Sequence, residues 1–485
     1  MLKPIRKFIN FFSMQSKATA AYLICNIILK SVSFFTFPIF ARLLSLEDFG
    51  LVSMYASYMG FVSIFTSLYL QYGTFSTAMV KFENDKDGYL ASASGFLILL
   101  TSIYLIIMFI FGNTFSNLLN ISKFLLILMG VDSLCGNIVG VFIARERFDY
   151  KYKEVVFITL IVFFVGIILG LILVLNMSDR GIARILSTAS INIVLGIIIL
   201  FIILSRSKKL YKKEYFHYII SFNIPLLPYY ISQLIFGQSD RIMIDNMVGR
   251  DSVALYEVGN KLATVVIIVL NSINSTFVPW LYRSIKNNNF EKIRFVSKGI
   301  AVGLASILLI LILIYPETLK LLFGDKYIGS LYVIPPIAMS LLFQYFAQLF
   351  INVDFYCEEK LYLVISSFLS AIVNIILNYL LIPKFGLVAA AWTTLISYII
   401  FALCGYITMN MAKKKHNIEN NIYDIKFIII QSIVFLTLGV IVSIFYDNMC
   451  ARLAVLIICF MFILIKHKKI YNLVLRYIEL VRNKE

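Results

Sequence analysis

The residues best placed to do chemistry are charges set inside long apolar runs. Lys30 stands mid-way along the run 18–41, in Asn26-Ile-Ile-Leu-Lys30-Ser-Val-Ser33. Asn26 lies one helical turn before it and Ser33 three residues after, on the same face. Asp132 lies within the run 121–144, and Arg184 sits one turn into 181–204. Asp240 and Arg241 close the run 218–239, with Asp245 a turn beyond, and Glu257 and Lys261 stand four apart inside 253–280. Arg42 ends the first run beside Glu47 and Asp48. A charge at the centre of a membrane helix costs at least about 2.5–3.5 kcal/mol, so each needs a partner, water or a task. Held cations suit an anionic ligand, whereas Asp132, Asp240 and Glu257 suit ion coupling or charge pairing. The plainer alternatives are a Lys30–Asp132 ion pair, an interfacial Asp240–Arg241 cluster and a Glu257–Lys261 helix pair. Arg42 then reads as a loop clamp and Arg184 as a snorkelling anchor.

Other chemistries find no residues. Six cysteines form no CxxC pattern, and His217, His416 and His467 sit in or beside charged loops. No metal-ligand spacing, Walker A segment, GxSxG or HExxH occurs. We therefore expect no catalytic residue, no metal and no cofactor, and a chain that is not an enzyme.

The elements that must position these charges follow from composition. The chain has 485 residues, 60% hydrophobic and 14% charged, against about 45–50% and about 25% in soluble domains. Fourteen apolar runs, from 18–41 to 450–466, are each long enough to span a bilayer or nearly so. Their backbone groups must be satisfied within the segment, which makes them helices, and period-2 polarity is absent. Most of the 43 Lys and Arg fall in alternate connections on one side. The positive-inside rule then puts both termini in the cytoplasm. The net charge of +17 reflects topology and attraction to anionic membrane lipids, with no nucleic-acid partner.

The chain also reads as duplicated. Leu44-Ser-Leu-Glu-Asp-Phe-Gly-Leu-Val-Ser-Met54 corresponds in character to Val248-Gly-Arg-Asp-Ser-Val-Ala-Leu-Tyr-Glu-Val258. Gly181-Ile-Ala-Arg-Ile-Leu-Ser-Thr-Ala-Ser190 corresponds to Gly386-Leu-Val-Ala-Ala-Ala-Trp-Thr-Thr-Leu395 at nearly the same offset. The expected architecture is an all-α polytopic membrane protein of two pseudo-symmetric six-helix bundles plus two C-terminal helices. The divisions fall at 1–205, 206–412 and 413–485. A parallel repeat of this kind places substrate between its halves near the midplane.

These segments resemble a known family, the Wzx-type polysaccharide repeat-unit flippases, which share a superfamily with the lipid II flippase and the multidrug extruders. The resemblance rests on Pro38-x-x-x-Arg42-Leu-Leu-Ser-Leu-Glu-Asp-Phe-Gly50, on Asp240-Arg241-Ile-Met-Ile244 with Gly249, and on Ala254-Leu-Tyr256 to Lys261. It rests also on Asn374-x-x-x-Asn378-x-x-Leu-Ile-Pro383-x-x-Gly386-x-x-Ala-Ala-Ala391-x-Thr393-x-x-Ser397. It implies translocation of undecaprenyl-diphosphate-linked oligosaccharides across a bacterial cytoplasmic membrane, by alternating access around a cationic cavity, for capsule, O-antigen or another surface polysaccharide. Lys30, Arg42, Arg184, Arg241 and Lys261 become the candidate cavity cations. Arg184 departs from the small-residue pattern, since the second half has Ala389. Tyr229, Tyr230, Phe236, Tyr345 and Phe346 offer faces for sugars, and Pro38, Pro225 and Pro228 offer places to bend. A polysaccharide polymerase or glycosyltransferase is a candidate partner at the inner loops 205–217 and 412–425. The competing reading is a multidrug or cation antiporter, which would want buried carboxylates in the first half, where only Asp132 lies deep.

Overall fold

The computed structural model describes residues 14–72, 74–418, 420–446, 448–450, 452 and 454–455. Among them every regular element is helical. In chain order the helices are α1 (Met14–Leu43), α2 (Leu46–Ser67), α3 (Thr74–Lys81), α4 (Lys86–Leu119), α5 (Lys123–Phe148), α6 (Tyr152–Asn176) and α7 (Arg180–Arg206). There follow α8 (Lys213–Asn223), α9 (Leu227–Met247), α10 (Arg250–Lys286), α11 (Phe290–Leu322), α12 (Ile334–Tyr356), α13 (Lys360–Phe385), α14 (Leu387–Lys415) and α15 (Ile425–Ile444). Twelve of the described helices are long and apolar enough to cross a bilayer. Large side chains such as Phe109, Phe157, Ile168 and Phe201 are exposed on them, as hydrocarbon requires. The protein is an all-α, multi-pass membrane protein. The last apolar run, 450–466, and the basic tail beyond it lie largely outside the described residues.

The seventh run differs from a single kinked helix. It is two helices, α8 and α9, joined by a 3-10 turn at Ile224–Leu226 with Pro225 in its first turn. Pro225 has no N–H to donate and Pro228 opens α9, so the helical ladder restarts where the prolines cost it least.

The chain forms two compact units, Met1–Ile242 and Met243–Glu485. In the first, α5 packs against α2, α4 and α7, while α6 bridges α1 and α7. Two of the sequence segments that suggested a duplication meet here. Ser45 caps α2 in a reciprocal capping box with Asp48, and Asp48 Oδ1 also accepts the Gly181 N–H at 3.0 Å. A Cβ at Gly181 would lie 2.8 Å from that carboxylate oxygen, which is why the start of α7 carries glycine. Arg180 donates to the Leu43 carbonyl at 3.0 Å, closing the same corner. In the second unit α12 is central, touching α10, α11, α13, α14 and α15.

Candidate functional site

The first unit holds a polar seam between α2, α5 and α7. Asp132 is 4% exposed and uses both carboxylate oxygens. Tyr55 donates its hydroxyl to Oδ2 at 3.1 Å, and Asn192 donates its amide to Oδ1 at 2.8 Å. Next to Asp132 in the chain, Ser133 shares a 2.7 Å hydrogen bond with Thr66 of α2. Asn137 donates to the Ser133 carbonyl at 2.8 Å and to its hydroxyl at 3.1 Å. On the neighbouring face of α2, Ser57 donates to Gln238 of α9 at 3.1 Å. Buried polar groups of this number are tolerated when each finds a partner; these do so by spacing of three to four residues along α2 and α5.

Of the sequence-predicted cations, Lys30, Arg42, Arg184 and Arg241 belong to the first unit and Lys261 to the second. Lys30 is exposed, mid-way along α1, and is not among the partners of Asp132. Arg42 is exposed at the end of α1. Arg184 is half-buried, with its guanidinium 4.0 Å from the centre of the Phe40 ring. It donates to Ser187 Oγ at 3.1 Å and to the Gly166 carbonyl at 3.4 Å. Gly170 leaves it room, since a Cβ there would lie 2.8 Å from the guanidinium. Arg184 thus ties α7 to α1 and α6 through an aromatic face. Asp240 is buried, and Arg241 donates to the Gly237 carbonyl one turn back at 2.8 Å. Asp245 lies 3.4 Å from Arg250 across the short turn after α9. Glu257 and Lys261 are half-buried, one turn apart on α10. Of the aromatic candidates, Tyr230 stacks on Tyr69 at 5.0 Å. Tyr345 is buried and donates to the Ser297 carbonyl, and Phe346 is buried beside it; both are core residues of the second unit. The side chain of Tyr229 lies outside the described residues.

Two buried features were not singled out from sequence. At the Lys/Arg-rich end of the first unit, Glu146 is enclosed by Arg145 (3.3 Å), Lys151 (3.1 Å) and Arg206 (2.5 Å). Arg145 also bonds Asp87 at 3.1 Å and Asp149 at 2.7 Å. An open cleft of about 710 Å³ is lined here by both signs of charge, and Lys86, Arg145, Arg206 and Lys209 of its lining are paired with carboxylates. In the second unit Asp354 is fully buried and accepts from Thr408 at 2.8 Å. The Asn374 and Asn378 pair, bonded at 3.1 Å, receives the Thr393 hydroxyl on Asn378 and knots α13 to α14.

The connections carry a pH dependence. Burial works against the charge of Asp149, but the hydrogen bond from Lys86 and the nearby Arg145 outweigh it and hold the carboxyl below its usual range. The hydrogen bonds from Lys415 and His416 do the same for Glu359, and that from Lys298 does so for Asp424. A carboxyl whose folded pKa is depressed adds stability above its unfolded value, near pH 4, and loses it as pH falls through the folded value. Melting temperature should therefore be flat from about pH 5 to 8 on this account and decline below about pH 4. Lys86→Ala should make the acid decline shallower, and an unchanged slope would show that Asp149 contributes nothing.

The sequence model of the family described as "Polysaccharide biosynthesis protein" matches residues 16–285. A Haemophilus influenzae protein of the Lsg locus is 26% identical over 330 residues, covering 65% of this chain and 78% of its own. The Staphylococcus aureus capsular polysaccharide biosynthesis protein CapF is 29% identical over 172 residues, 34% of this chain and 43% of its own. Among solved structures, the lipid II flippase MurJ in an inward closed conformation superposes with a TM-score of 0.71 at 15% identity. That match covers 94% of this chain and 99% of MurJ. An inward-facing multidrug resistance MATE transporter gives 0.58 at 14% identity, over 83% of this chain and all of the transporter (100%). At these identities the structures share the fold.

Proposed function

We propose that this chain, which belongs to the polysaccharide biosynthesis protein family, flips diphosphate-linked lipid oligosaccharides across the cytoplasmic membrane of a bacterium. The observation that carries the reading is Lys30. It is a mid-span cation on an exposed face of α1, while the deep carboxylate of the same unit is already engaged by Tyr55 and Asn192. A fixed cation attracts a diphosphate and repels an organic cation. Family membership supports a glycan as the cargo, and the fold shared with a lipid flippase and an extruder supports alternating access. In this reading the repeated halves, 1–205 and 206–412, are the moving bodies, and both termini stay in the cytoplasm. Lys30, Arg42, Arg184, Arg241 and Lys261 meet the diphosphate at successive stages. Asp132 holds the seam of the first half in register.

The test is complementation of a strain deleted for this gene, reading surface polysaccharide and the extracted lipid-linked glycan. Wild type should restore the surface glycan, and Lys30→Ala should lower it at least about tenfold, a loss of about 1.4 kcal/mol or more in binding or transition-state terms, with lipid-linked units accumulating. Full rescue by Lys30→Ala would remove Lys30 from the substrate path. Unchanged glycan with increased sensitivity to cationic drugs would replace the flippase by an antiporter.

A further inference from the structure

The ends of α5 and α12 are built alike. In α5 the Lys151 N–H returns to the Glu146 carbonyl at 2.9 Å, and Tyr150 takes a left-handed φ of 56°. In α12 the Glu359 N–H returns to the Asp354 carbonyl at 3.0 Å, and Glu358 takes φ of 58°. The flanking bonds match as well: Asp149 to Arg145 and Tyr150 to Arg147 in one, Cys357 to Val353 and Glu358 to Phe355 in the other. Glu146 and Asp354 thus hold the same position in a helix ending that Ser284 of α10 and Lys413 of α14 also hold, and each is a buried acid in the last turn of a central helix.

Their surroundings have diverged. Glu146 meets three cations. At the positions of two of them, Arg145 and Lys151, the second unit has Val353 and Glu359. Asp354 accepts one hydroxyl, from Thr408, which itself lies 3.4 Å from Ser366. Its other oxygen, Oδ1, is buried with no hydrogen-bond partner. Among the described side chains no cation lies within ion-pair distance of it. Titratable groups stand on its own helix end and on the elements packed against α12. Its own helix end brings Cys357 and Glu359, and Glu359 already holds Lys415 at 2.7 Å and His416 at 3.1 Å. From α14 comes Lys413, buried in the last turn. From α10 come Tyr282 and Lys286, the latter lining an open cleft with Tyr356, Cys357 and His416, and from the segment before α15 comes Tyr423, which donates to the Leu349 carbonyl at 2.9 Å.

A buried carboxylate without a cation is costly, while a buried carboxylic acid with one bond is much less so. Hard metal cations want about six oxygen ligands, and Asp354, Thr408 and Ser366 supply too few. We propose that Asp354 is a proton-binding site of the second unit, occupied in the packed state and emptied when the transport cycle opens that unit, so that flipping is coupled to pH. The proton adds to Oδ1 from water and returns to water, with no other bond made or broken. The coupling clause rests on the flippase reading; the proton site itself does not.

The site is tested by infrared titration of the purified full-length protein in lipid nanodiscs, reading the C=O stretch of protonated carboxyls. At neutral pH the wild type should show a band that Asp354→Asn abolishes. Thr408→Val removes the donor that favours the charged form, so the same band should persist to higher pH. It also decides the matter if Asp354→Asn fails to give a monodisperse protein. Superimposable spectra of wild type and variants, or a band set by sodium concentration at fixed pH, would overturn the proposal. For coupling, a protonophore should lower export of surface glycan in the wild type, whereas Asp354→Asn, which has no proton to release, should export less than wild type and change little when the protonophore is added. Equal sensitivity would overturn the coupling. Loss of the band in a protein whose deletion leaves surface glycan intact would keep the proton site and sink the flippase.

Discussion

Glu146→Ala is expected to cost about 3–5 kcal/mol, the range for removing one partner of a buried charge network. The side chain of Glu146 is 2% exposed and that of Arg145 9%. Removing the carboxylate leaves Arg206 without its anion and Arg145 held by Asp87 and Asp149 alone. The damage spreads because the network joins separate elements: Asp87 from the start of α4, Arg145 and Asp149 from the end of α5, Lys151 before α6 and Arg206 from the end of α7. For a unit of this size the shift in melting temperature is on the order of 10 °C. Glu146→Gln, which keeps the volume, should also destabilise, because Arg206 then faces no anion while Arg145 keeps Asp87 and Asp149. Lys151→Ala is the control: that lysine is 42% exposed, and an exposed partner contributes less than about 1 kcal/mol. The measurement is thermal unfolding of the purified protein followed by size-exclusion chromatography. A Glu146→Ala melting temperature equal to that of Lys151→Ala would show that the network adds no net stability.

That network also shows where sequence reading stops. The spanning helices were legible because a bilayer demands runs of about 20 apolar residues, and such runs have no other explanation. Their charges were legible only as exceptions to hydropathy. Asp132 stood out because it interrupts an apolar run, yet its partners are the neutral Tyr55 and Asn192, not Lys30. Neutral polar residues in helices leave no mark on a charge count. Glu146 and Asp354 were missed for the opposite reason. Each lies within a few residues of other charges, Arg145 and Arg147 in one case and Glu358 and Glu359 in the other. A charge at the end of a run reads as a solvated connection, and only packing shows that the last turn is buried. Tyr345 and Phe346 illustrate the same limit for aromatics. Their type suits sugar stacking, but α12 is the central helix of its unit and both are core. The break at Pro225 was legible as a place to bend, although its form, a 3-10 turn between two helices, depends on how the flanking helices pack.

Gly196→Val is expected to disable the protein through a contact that no polar or charged residue announces. A Cβ at Gly196 of α7 would lie 2.5 Å from Cys135 Cβ, 2.7 Å from its Cα and 2.9 Å from its carbonyl oxygen, all on α5. Two of these three atoms are backbone, so no rotamer change relieves the clash and the helices must separate. Small residues serve membrane helix pairs by allowing this close approach. Overpacking such a contact costs about 1–3 kcal/mol and occasionally more, and valine at a backbone-to-backbone crossing belongs at the upper end. Separation also acts on the seam, because Asn192 precedes Gly196 by one turn and Asp132 precedes Cys135 by three residues, which places both pairs on the facing sides of α7 and α5. The 2.8 Å Asn192–Asp132 bond should therefore lengthen or break, leaving a buried carboxylate with Tyr55 alone. Surface polysaccharide in the complemented deletion strain should fall with stability. Gly299→Ala and Gly303→Ala provide the contrast. Nothing lies within 4 Å of a Cβ at either position in α11, so replacing a helical glycine there should stabilise by up to about 1 kcal/mol. Cys135→Gly in the Gly196→Val background removes one of the three clashing atoms and should restore only part of the loss. Full recovery would mean that the Cys135 side chain alone, and not the α5 backbone, sets the approach of the two helices.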